Sequence, residues 1–130
     1  MKQKIGNIAL VVEDYDEAID FYVNKLNFDL IEDTQLDENK RWVVVSPKGS
    51  NESRLLLAKA DNDDQKSRIG NQTGGRVFLF LFTDNFERDF NNLKRQNVTI
   101  IREPKDEIYG KVLVFSDLYG NLWDLIEPKE

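Results

Sequence analysis

Residues 4–26, KIGNIALVVEDYDEAIDFYVNKL, decide the fold, because their pattern returns at residues 76–93, RVFLFLFTDNFERDFNNL. In the first copy the run from Lys4 to Val12 reads as a strand. Asp14 with Glu17 three residues later is a helix-start signature, in which a short side-chain oxygen accepts an otherwise orphaned N–H of the first turn. Tyr15, Ala18, Ile19, Tyr22 and Leu26 then recur at helical spacing and form one apolar stripe. In the second copy the strand runs from Arg76 to Phe82, Asp84 and Glu87 supply the cap, and Phe86, Phe90 and Leu93 share a helical face. The copies lie about seventy residues apart, half of a 130-residue chain.

Working outward, each helix is followed by three strand-like runs. They are 28–32, 41–46 and 53–59 in the first half, and 98–102, 112–115 and 122–127 in the second. Polar or Gly/Pro-bearing segments separate them. Each half is therefore a βαβββ unit, and the fold class is α+β. The expected organisation is one domain, 1–130, with module one at 1–60, a polar, glycine-bearing linker at 61–75 (DNDDQKSRIGNQTGG) and module two at 76–130. A lone unit leaves one sheet face bare, so two units are expected to form a curved mixed sheet around a cavity, helices outside. That cavity is the default binding site.

Composition narrows the chemistry. The chain has no cysteine and no histidine. The first absence removes disulfides, thiolate metal sites and cysteine nucleophiles, and it fits the cytoplasm. The second removes the commonest transition-metal ligand and the commonest general base near neutral pH. A net charge of −6 disfavours nucleic acid, since a polyanion needs a positive surface. No apolar run approaches membrane-spanning length. Asp61, Asp63 and Asp64 lack the glycine and distal glutamate of a calcium loop and read as a solvated acidic turn. There is no phosphate-cradling or dinucleotide fingerprint and no serine-nucleophile context.

The opening NIALVVEDYDEAIDFYVNKLNF, the middle GGRVFLFLFTDNFE and above all the ending VFSDLYGNLWDLIEP resemble the glyoxalase/bleomycin-resistance/dioxygenase superfamily, also called vicinal oxygen chelate proteins. The likeness spans essentially the whole chain, and the D-x-x-G-N turn between two apolar strands is its most specific part. In metal-using members, inner positions of the first, fourth, fifth and last strands each supply a ligand. The resemblance places Asn7, Leu55 (with Arg54 beside it), Phe78 and Asp124 there. Only Asp124 is a good ligand, so the expectation is a member without the usual metal and without a cofactor, for which metal-dependent lyase or dioxygenase activity is disfavoured. The resemblance also implies a homodimer.

The expected function is binding of a small organic molecule, flat or cationic, in an aromatic cavity. Its candidate lining is Asn7, Trp42, Arg54, Arg76, Phe78, Phe80, Trp123 and Asp124, with Phe82 on the same strand as Phe80. An enzyme of lyase or isomerase type is the alternative, with Asp124 or Glu127 as base and Tyr109 or Arg76 as electrophilic support. A protein-interaction module is the third class. Asp124, inside the apolar run LWDLI, must face water, find a partner such as Arg54 or Arg76, or have a raised pKa.

Overall fold

The computed structural model describes residues 1–129. Two compact units divide the chain, Met1–Ile69 and the residues from Gly70 onward. The first contains β1 (Asn7–Val12), α1 (Tyr15–Ile19), β2 (Asp29–Gln35), β3 (Arg41–Ser46), β4 (Arg54–Lys59) and a short α2 (Asp63–Lys66). The second contains β5 (Val77–Phe82), α3 (Phe86–Arg95), β6 (Ile100–Glu107), β7 (Gly110–Ser116) and β8 (Leu122–Pro128). Each unit builds its own four-stranded mixed sheet, in the orders β1-β4-β3-β2 and β5-β8-β7-β6. The first and last strands of each unit pair in parallel and the other neighbours antiparallel. The α+β architecture of two βαβββ modules is thus the one the repeat predicts.

Strand alternation places the core. In the first unit Leu10, Val12, Val43, Val45, Leu55 and Leu57 are buried at alternate positions, and α1 lies against β3 and β4. In the second, Leu113, Phe115, Trp123 and Leu125 are buried with Phe86 and Leu93 of α3, which lies against β8. Each fully buried side chain of this size stabilises the fold by roughly 1.5–3 kcal/mol.

Three departures from the sequence reading have local causes. The first helix is α-helical only to Ile19, and Asp20–Lys25 continues as a π-helix. The Leu26 amide reaches back five residues to the Phe21 carbonyl, and the wider turn turns both Phe21 and Tyr22 inward, where they meet edge to face. Secondly, α3 is capped by Asn85, not Asp84: the Asn85 side chain accepts from the Arg88 amide at 3.1 Å. Pairing with β8 continues one residue past the end of β5, Thr83 N–H donating to the Ile126 carbonyl, before the chain turns. Asp84 stays exposed and pairs with Arg88 instead. Thirdly, β2 and β6 extend to Gln35 and Glu107. Both are edge strands, where polar residues and Pro104 are tolerated.

The D-x-x-G-N turn is a dense polar knot. Asp117 Oδ1 accepts from the amides of Tyr119, Gly120 and Asn121, and Oδ2 from the Asn121 side chain. Gly70 packs against this turn with φ +75°, and a Cβ there would lie 1.8 Å from the Tyr119 carbonyl oxygen. Only glycine fits both the conformation and the approach.

Candidate functional site

Residues directly paired across a sheet share a face, so register determines which candidates stand together. In the first unit Asn7 pairs with Arg54, Ala9 with Leu56, and Val11 with Ala58. Val44 lies between Leu56 and Glu32, and Trp42 pairs with Thr34. Asn7, Arg54 and Trp42 therefore belong to the face turned away from α1. Leu55 does not: alternation puts it on the α1 side, 4 % exposed. The inner positions of β4 are its neighbours, Arg54 and Leu56.

In the second unit one row across the sheet reads Phe80, Asp124, Val114, Arg102, and the next reads Phe82, Ile126, Val112, Lys105. Both rows lie on the face opposite the α3-side core. Phe80 is 61 % and Phe82 68 % exposed, side by side on the edge strand β5. Phe78 is half-buried at a register shift in the same strand. The face is polarised, with aromatic rings at its β5 edge, basic groups at its β6 edge and one carboxylate between them. Lys105 is paired with Glu107 at 3.1 Å.

Asp124 is the unusual group in this row. Its Oδ1 is buried and has no hydrogen-bond partner among the described residues. Burial raises its pKa above the ordinary carboxylate value, and the nearby Arg102 guanidinium partly opposes the rise. A carboxyl whose pKa is higher in the folded state binds its proton more tightly there, so its contribution to stability is lost as pH rises through that value. Asp124→Asn is therefore expected to be more stable than the parent at pH 7. The gap should close as the pH falls towards the ordinary value of 3.8. Thermal unfolding from pH 3.5 to 8 checks this, and equal stability at pH 7 would mean that the carboxylate is not isolated.

The remaining candidates do not join the row. Trp123 is 3 % exposed and stacks on Phe115 with ring centroids 5.9 Å apart, inside the α3-side core. Glu127 lies on that same side, where its Oε1 accepts the Phe86 amide at 2.7 Å and holds the start of α3. Tyr109 is exposed at the tip of the β6–β7 hairpin, five residues along the chain from Val114 and so roughly 17 Å from the Asp124 row. Arg76 is exposed just before β5. Arg102 and Lys105 were not singled out from the sequence. Register shifts on both sides of Arg102 decide their facing, and bulges leave no regular alternation to read.

The inner positions at which metal-using proteins of this architecture carry ligands hold Asn7, Arg54 or Leu56, Phe78 or Phe80, and Asp124. One carboxylate and one amide beside a cation and apolar side chains do not make a donor set for a transition metal. Among the described residues no three of His, Cys, Asp and Glu cluster in a metal-holding arrangement. A separate hollow of about 930 Å³ opens in the first unit where β3 and β4 part, between Tyr15, Arg41, Leu57, Lys59 and Gln65. Its arginine is already committed to Asp16 and Asp33.

Comparison with known proteins places the fold. The model of the Glyoxalase/Bleomycin resistance protein/Dioxygenase superfamily matches residues 4–125. An uncharacterized protein of Shewanella frigidimarina is 63 % identical over 98 % of this chain and 95 % of its own length. Among solved structures, UcmS2 is similar with a TM-score of 0.85 and 27 % identity, covering 98 % of this chain and 99 % of its own. TnmS3, an antibiotic binding protein from Streptomyces sp. CB03234, has a TM-score of 0.79 and 30 % identity, covering 98 % of both chains.

Proposed function

Since the chain belongs to the Glyoxalase/Bleomycin resistance protein/Dioxygenase superfamily, we propose that it binds a small aromatic organic molecule on the sheet faces turned away from its helices without using a transition metal. The observation that carries this reading is the exposed pair Phe80 and Phe82 beside the partnerless Asp124 oxygen. Two rings held at adjacent levels of a rigid strand offer a flat stacking surface at little ordering cost, and a carboxylate at its border orients what stacks there. Asn7, Arg54 and Trp42 give the first unit's face turned away from α1 a similar polar and aromatic character. The description of TnmS3 as an antibiotic binding protein supports sequestration as the use of such a surface. We further propose that the protein acts as a homodimer in the cytoplasm, with neither nucleic acid nor membrane as partner.

A thermal-shift screen tests the reading, because a ligand that binds only the folded state raises the melting temperature by mass action. Fused-ring aromatic compounds are expected to raise it saturably, by several degrees at a hundred times Kd, while Mn, Ni, Zn and Fe salts leave it unchanged. Saturable stabilisation by one of these metals would overturn the metal-free reading and bring back lyase or dioxygenase chemistry.

A further inference from the structure

The aromatic and charged groups on the second unit's face turned away from α3 occupy fixed levels and fixed strands. Phe80 on β5, Asp124 on β8, Val114 on β7 and Arg102 on β6 form one row. Adjacent strands are about 4.8 Å apart, so the backbone positions of Asp124 and Arg102 are separated by roughly 10 Å. Between them lies only Val114, and behind Asp124 stands the Phe80 ring. In the next row Lys105 is already held by Glu107 at 3.1 Å. Arg102 is exposed, with no hydrogen bond or ion pair among the described residues. The face thus carries a half-buried carboxylate and an exposed guanidinium that act on each other through charge but share no hydrogen bond, with the buried Val114 between them, a net charge near zero on a chain of −6.

Resting on the reading of this face as a ligand platform, we propose that it selects planar aromatic molecules that are dipolar end to end. A hydroxyl or amine donor sits over Asp124, and a carboxylate or other strong acceptor lies at Arg102. A purely cationic ligand answers Asp124 and meets repulsion from Arg102; a purely anionic one meets the reverse. Only a molecule with both groups, spaced by about two fused rings, satisfies the face without leaving a charge covered and unpaired, and orphaning a charge on burial is the larger cost.

Two isomers of equal charge and composition test the spacing. 6-Hydroxy-2-naphthoate carries donor and carboxylate at opposite ends, 3-hydroxy-2-naphthoate carries them side by side, and 2-naphthol has the ring and donor alone. By fluorescence titration the 6-hydroxy isomer is expected to bind about tenfold more tightly than the 3-hydroxy isomer. Arg102→Gln should remove that preference by weakening the 6-hydroxy isomer, and Asp124→Asn should remove it while also weakening 2-naphthol, whose hydroxyl meets the same carboxylate. Equal binding of the two isomers, with Phe80→Ala weakening both, would overturn dipolar selection and leave the platform standing. If none of the three compounds binds at any soluble concentration, the platform reading falls and the selection falls with it.

Discussion

Asp117→Ala is expected to lower the free energy of unfolding by about 4 kcal/mol, a large part of the roughly 5–15 kcal/mol that holds a domain of this size together. The carboxylate is 4 % exposed and accepts four hydrogen bonds, at 2.9, 3.0 and 2.9 Å from three successive amides and 3.0 Å from the Asn121 side chain. Alanine leaves all four donors without that acceptor. Each buried orphan costs about 1–3 kcal/mol, and the Gly120 amide, which is exposed and keeps its bond to the Asp117 backbone carbonyl at 3.2 Å, is the donor least affected. The loss spreads, because Asn121 Oδ1 also accepts from the Gln72 amide and Gly70 lies against Tyr119. Asp117→Asn keeps an acceptor at Oδ1 and should lose less than half as much. Urea denaturation of the three proteins decides the matter. A loss below about 1 kcal/mol in the alanine variant would mean that the close approach of Gly70, rather than the carboxylate, holds the turn.

This knot also shows why the fold was legible. The D-x-x-G-N spacing, the apolar strands and the Asp14 cap act within a few residues, so a local pattern carries the local structure. Asp14 accepts the Glu17 amide at 2.9 Å, as its spacing predicts. The second helix start slipped by one residue because Asp84 and Asn85 are both good caps, and their choice depends on how far β5 pairs with β8. The candidate site was less legible for a related reason. Whether a strand residue faces the helix or the open side is a question of register. In LWDLIEP regular alternation runs from Trp123 to Glu127, so Trp123, Leu125 and Glu127 share the helix side and Asp124 faces out. Alternation alone allows either Trp123 or Asp124 on the inner face, and the burial of Trp123 at 3 % exposure places it on the helix side. In IIREPKDE two register shifts break it, and the facing of Arg102 and Lys105 emerges only from the paired strand. The π-helical stretch Asp20–Lys25 was hidden too, since an apolar stripe at 3.6 spacing looks the same until Phe21 and Tyr22 must both be buried.

Replacing Phe80 and Phe82 together by alanine is expected to weaken binding of a neutral fused-ring probe, 1-pyrenemethanol, by about 50-fold while leaving stability within about 1 kcal/mol of the parent. The two effects separate because the rings are mostly in water: exposed at 61 % and 68 %, they contribute little to the folded state alone. Their apolar area is removed from water only when something stacks on it, and that burial, with the geometric preference of stacked rings, supplies the lost affinity. Phe115→Ala is the matching control. That ring is fully buried beneath Trp123, so its removal should cost about 3–5 kcal/mol of stability and weaken probe binding only as far as the sheet itself loosens. Fluorescence titration of the probe, alongside chemical denaturation of each variant, distinguishes a binding ring from a core ring. Mass measurement in solution adds a third axis. A double variant that keeps full probe affinity but loses self-association would assign the two phenylalanines to contact between copies of the chain, and the ligand platform would have to be sought on the other open face, around Asn7, Arg54 and Trp42.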